Sequence, residues 1–144
     1  MITDKLLRVS TDQAVTTTAV STDTVDLSVA RDIGEGGELT ANFAITEAFA
    51  GGTSTKFEVI VADNAALTSN VTVIGSSDAV ATASLPLGTN VAVRLNPIIG
   101  STGKRYLGAR YTVVGTNTAG KVTMDIVEAI QDGKKFYASG FSVV

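Results

Sequence analysis

The stretch Arg105–Ile130, RYLGARYTVVGTNTAGKVTMDIVEAI, decides the fold. Two runs rich in β-branched and aromatic residues flank Gly115-Thr116-Asn117-Thr118-Ala119-Gly120. Such runs favour a pleated, half-buried surface, and the Gly/Asn/Thr cluster supplies turn chemistry. In the first run Leu107, Ala109, Tyr111 and Val113 share one face. In the second, Val122, Met124 and Ile126 share one face, with Lys121, Thr123 and Asp125 opposite. Period two of this kind marks strands with one wet face. The expectation is a β-hairpin at the centre of an all-β domain.

The same alternation recurs towards the N-terminus. Thr24–Val29 reads as the first core strand. Glu38–Thr46 sets Leu39, Ala41, Phe43 and Ile45 on a core face. Thr55–Ala62 opposes Phe57, Val59 and Val61 to Lys56 and Glu58, with Ile60 the apolar exception on the polar side. Val71–Ile74 and Asn90–Leu95 are further short strands, while residues 79–85 fit a strand or an irregular edge equally. Gly-rich and Pro-containing segments between them read as loops, among them Arg31–Gly37, Glu47–Ser54 and Asn96–Lys104. Residues 1–22 are polar and Thr-rich with no alternating core face, so they are expected to form an extended N-terminal arm. Residues 23–144 are then one domain, including a C-terminal strand or docking tail. Eight or nine short strands with no sustained helical period predict an antiparallel β-sandwich, jelly-roll-like. An immunoglobulin-like sandwich ranks second, and its usual Cys and Trp markers are missing.

Composition removes several classes of chemistry. The chain has no Cys, no His and no Trp. Disulfides, thiolate nucleophiles, Cys- or His-based zinc sites and His-dependent triads are thereby excluded. No apolar window approaches the roughly 18 residues of a membrane-spanning helix, and the first residues carry no signal-peptide core. A formal net charge of −3 argues against phosphate neutralisation as the main task, so neither nucleic acid nor an anionic membrane is the expected partner.

The remaining candidate sites are weak. Asp32, Glu35 and Glu38 sit among glycines, as hard-cation ligands do. Their spacing fits no EF-hand, and they read as solvated loop acids or partners of Arg31. Gly34-Glu35-Gly36-Gly37 lacks the remainder of a phosphate-binding loop. Glu58, Asp125 and Glu128 are the carboxylates a glycosidase pair would need, and each also fits a solvated strand face. Arg105, Tyr106, Arg110 and Tyr111 interleave cations with aromatics, which suits structural or interface pairing in an acidic chain. Lys134-Lys135-Phe136-Tyr137, followed by Phe141, reads either as a closing strand or as a docking segment.

Several blocks resemble one family. They are Ser21–Leu27, Ala30–Gly36, Thr46–Gly51, Arg105–Tyr111, Ala119–Thr123, and Gln131–Tyr137 leading to Ser139-Gly140-Phe141. In this order and spacing they resemble the capsid cement (decoration) proteins of tailed bacteriophages, of the kind found in a Bordetella phage. The resemblance implies a jelly roll on the exterior of the virion that binds the major capsid protein after shell expansion. It implies self-association as a homo-dimer or homo-trimer, with no cofactor, no metal and no enzymatic activity. The residues assigned to partner binding on this basis are Arg31, Lys134, Lys135, Phe136 and Tyr137. A carbohydrate- or receptor-binding β-sandwich is the alternative, disfavoured by the 6% aromatic content.

Overall fold

A computed structural model describes residues 3–28, 38–95 and 102–128. After a 3-10 turn, Lys5–Leu7, the described residues form ten strands: β1 (Arg8–Ala14), β2 (Ala19–Val20), β3 (Val25–Asp26), β4 (Thr40–Ala50), β5 (Ser54–Ala62), β6 (Thr72–Ser76), β7 (Val80–Ala81), β8 (Asn90–Arg94), β9 (Tyr106–Val114) and β10 (Ala119–Val127). One sheet has the order β1-β10-β4-β8. The other has the order β2-β9-β5-β6, with β3 also on β9 and β7 also on β5. All pairings are antiparallel. β2 and β3 follow one another along the same partner, as do β6 and β7. Ten segments therefore fill eight strand positions in two four-stranded layers, which is the jelly-roll arrangement.

The expected hairpin is not one. β9 and β10 lie in different sheets, so their apolar faces oppose each other across the core. The faces read from the sequence are correct: Leu107, Ala109 and Tyr111 are buried from one side, Val122, Met124 and Ile126 from the other. Alternation reports which face is dry, and is silent on whether the next strand lies beside it or opposite it. The connection arches over the end of the sandwich and is pinned there. Asn117 N donates to Thr16 O at 2.8 Å and Thr118 N to Ala50 O at 2.8 Å. The Asn117 side-chain amide donates to Val15 O at 3.0 Å. A second arch, residues 51–53, joins β4 to β5 alongside it, and Thr53 N donates to Val114 O. Gly51 has φ +93 and Gly115 φ +85, conformations that glycine tolerates and other residues rarely do.

The N-terminal segment is also not an arm. Arg8–Ala14 is an edge strand on β10, and Val9 and Val15 are fully buried. Its periodicity is hidden by two register shifts, and Asp12 takes φ +45. A bulge puts an extra residue on the strand and breaks the in/out count. Polar residues also point inwards. Tyr111 Oη donates across the sandwich to Ser10 Oγ at 2.7 Å, Ser10 Oγ donates to Gln13 Oε1 at 2.7 Å, and Gln13 Nε2 donates to Val20 O at 2.7 Å. Two further boundaries differ. Only Val25–Asp26 of the expected first strand is strand, and β4 runs through the expected loop to Ala50, with Phe49 in the core. Phe43, Phe49, Phe57 and Tyr111 form the aromatic centre, with ring centroids 5.2 to 6.3 Å apart.

Candidate docking surface

β5 and β9 carry a second, smaller apolar cluster on the outer side of their sheet. Ile60, the exception in the sequence, packs there with Ala62 and Leu67, against Val20, Val71 and Tyr106. The loop between β5 and β6 folds back to deliver Leu67. Asn64 Oδ1 accepts from Thr68 N and Ser69 N, both at 3.0 Å, and Lys104 pairs with Asp63 at 3.1 Å. Leu67 sits where a Cβ on Gly108 would be, so any larger residue there would push Leu67 aside and crowd Ser21 Oγ.

Beside this cluster, on the same face, Glu58 is buried. Arg110 Nε donates to it at 2.7 Å, Thr112 Oγ1 at 2.9 Å, and Lys56 Nζ stands 3.1 Å away. Burial pushes its carboxyl up, but the hydrogen bonds from Arg110, Lys56 and Thr112 outweigh that and bring it down to about 2. Asp125, the other buried carboxylate, points outwards from the opposite sheet and accepts from Arg8 Nε at 2.7 Å. Glu58 and Asp125 thus lie on opposite outer faces and do not face each other across a cleft. Glu128 is exposed at the end of β10.

The cations and aromatics of β9 are equally committed. Arg105 grips Asp26 through two bonds of 2.8 Å and lies 5.2 Å from the Tyr106 ring centroid. Its hydrogen bond to Asp26, reinforced by one from Ser28 N, holds that carboxyl at about 2. Tyr111 belongs to the core, where burial pushes its phenol well above the usual value.

One end of the sandwich collects these pairs. Thr40 is in register with both Val127 and Arg94, and Tyr106 with Asp26 and Ala62. Here lie Arg8–Asp125, Asp26–Arg105, Asp63–Lys104 and the exposed Glu38–Arg94 pair at 3.6 Å. Ser28, Glu38, Leu95, Thr102 and Glu128 border the segments that lie outside the described residues. Arg31, Asp32, Glu35, Lys134, Lys135, Phe136 and Tyr137 lie outside the described residues.

Eight of the eleven Lys and Arg side chains fall within the described residues. Of these, all but Lys5 form an ion pair. The exposed carboxylates Asp4, Asp12, Asp23, Asp78 and Glu128 take part in none of those pairs. The body therefore spends its positive charge on itself and presents negative charge outwards. Among the described residues no cluster of acidic side chains is arranged to hold a metal ion. The buried Ser10–Tyr111 and Glu58–Arg110 partnerships were not legible in the sequence, because their members are far apart in the chain and only the strand register unites them.

A family model described as Bbp16 matches residues 9–126. No curated protein matches the chain.

Proposed function

This chain belongs to the Bbp16 family, and from that premise we propose that it is a structural virion protein of a tailed phage, binding the outside of the major capsid protein shell and stabilising it as a cement. The observation that carries the reading is the family match across 118 residues, from 9 to 126, which agrees with the cement-protein resemblance in the sequence blocks. The fold supports it. A jelly roll whose buried carboxylates are each neutralised by an arginine offers a rigid, chemically quiet body, suited to bracing subunits. An outward negative balance suits a protein that need not touch DNA. Many modest contacts repeated over a symmetric shell add up through multivalency, so a deep pocket is unnecessary. Association into a dimer or trimer would match the shell's symmetry axes.

The carbohydrate-binding alternative draws no support from the described aromatics. Phe43, Phe49, Phe57 and Tyr111 are buried, and Tyr106 is engaged by Arg105. The test is light scattering of the purified protein with and without expanded shells. Saturation at a fixed ratio per capsomer is the expected result. A protein that leaves the shells bare, or that dissociates at working concentration without saturating them, overturns the reading.

A further inference from the structure

The loop between β5 and β6 is built as a unit of its own. Asp63 N donates to Ser69 O at 3.1 Å and Leu67 N to Asn64 O at 3.0 Å. Asn64 Oδ1 accepts from Thr68 N and Ser69 N, and Asn64 Nδ2 donates to Thr68 Oγ1 at 2.9 Å. Each of these bonds begins and ends within residues 63–70. Among the described residues, two side-chain links tie the loop to the body: the Lys104–Asp63 pair and the packing of Leu67. Leu67 is 2% exposed, whereas Ala65, Ala66, Thr68, Ser69 and Asn70 lie open to solvent.

The apolar link is made against the backbone's preference. Leu67 takes φ +55 and Asn70 φ +51. Asparagine tolerates the left-handed region, but leucine there crowds its Cβ against the following carbonyl oxygen. Such backbone persists where surrounding contacts over-determine it, and it recurs in segments that switch. The contact that holds Leu67 is its seat, the space that a side chain on Gly108 would fill, beside Ile60 and Ala62. This cluster is separate from the main core, so lifting Leu67 leaves the aromatic centre between the sheets packed.

We infer that residues 63–70 are a latched plug, which lifts while the sandwich stays folded and uncovers the apolar seat of Leu67. Local opening is cheap where an element loses few contacts outside itself. It is a property of the isolated chain and stands whether or not shells bind.

The chain has no Cys, so single substitutions report opening through reaction with a thiol reagent. Ile60→Cys lies beneath the plug, and Val61→Cys, the next residue of β5, faces the main core. At low urea Ile60→Cys is expected to react at least about tenfold faster than Val61→Cys, with little dependence on urea, because opening exposes little surface. Val61→Cys is expected to react through global unfolding, with a steep urea dependence. Adding Leu67→Ala or Asp63→Asn is expected to speed the low-urea reaction of Ile60→Cys, the latter by roughly fivefold and less at high salt. If both positions react at one rate with one steep urea dependence, the loop opens only with the whole fold and the plug is overturned. If Ile60→Cys reacts fast and neither added change alters its rate, the opening is another one, such as peeling of β6, and the plug is overturned as well. Should Ile60→Cys lower the melting temperature sharply, Ala62→Cys, beneath the same loop, is read in its place.

Discussion

At the scale of single residues, Glu58 shows how sequence and environment part company. Read along the strand it is one more charge on a wet face. In the fold it is buried beneath Arg110, Lys56 and Thr112, its carboxyl held at about 2 against an ordinary 4.5. A carboxyl depressed in this way contributes stability that is complete above the unfolded value and is lost as pH falls through the folded one. The window is therefore roughly pH 4.5 down to 2. Glu58→Gln removes the charge while keeping the shape, leaving Arg110 and Lys56 to turn towards water. We expect it to cost on the order of 2 kcal/mol at pH 7. We also expect melting temperature to depend less on pH between 4.5 and 2 than in the unaltered protein, by calorimetry. Asp26 titrates in the same window but is half-exposed, so it keeps a residual slope in both proteins. Equal acid slopes would show that Glu58 is not the coupled group. The interior position of Glu58 was partly signalled by Ile60 on the same face, because an apolar residue there implies a cover. The cover itself, Leu67, comes from a loop whose path alternation does not describe.

At the scale of elements, the central misreading is the most informative. Arg105–Ile130 showed two strands, their dry faces and roughly where the connection between them falls. It did not show that the strands face each other, because the Gly115–Thr118 connection suits a hairpin turn and an arch alike. An arch must cross the roughly 10 Å between layers. What decides for the arch lies elsewhere in the chain: Thr16, Ala50 and Val15 supply the carbonyls that hold the loop. β1 escaped notice for a different reason, since two bulges and inward-pointing Ser10 scramble its pattern. The absence of native cysteine permits a direct check of strand pairing. Ala44 and Thr123 are register partners in β4 and β10. Ala44→Cys with Thr123→Cys is expected to form a disulfide under mild oxidation, since directly opposed Cα atoms lie about 4.5 to 5.5 Å apart. Thr112→Cys with Lys121→Cys, which a hairpin would place side by side, is expected to stay reduced in the folded monomer. Non-reducing mass spectrometry reads both. A disulfide in the second pair and none in the first would restore the hairpin.

At the scale of the whole molecule, the pairings are nested. β5 pairs with β6, outside that β4 pairs with β8, outside that β2 and β3 pair with β9, and outermost β1 pairs with β10. The innermost pair closes a short loop: Val61 meets Thr72. The outermost joins Arg8 to Asp125, across most of the chain. Loop closure costs entropy that grows with the length closed, and each inner ribbon shortens the effective loop of the next. Folding should therefore proceed from β5–β6 outwards and end when β1 docks, on a timescale of milliseconds to seconds typical of non-local β topologies. The same order explains why β1 tolerates bulges and buried hydroxyls: it closes a core whose aromatic centre is already assembled. A mutation in an element absent from the transition state speeds unfolding, while one in the nucleus slows folding. Val9→Ala, in β1, is expected to destabilise by about 2 kcal/mol, nearly all of it as faster unfolding. Ile74→Val, in β6, is expected to cost about 1 kcal/mol, with the larger part appearing as slower folding. Stopped-flow chevrons of the two variants separate the limbs. A folding limb slowed by Val9→Ala and untouched by Ile74→Val would place the nucleus at the chain's ends and reverse the order of assembly.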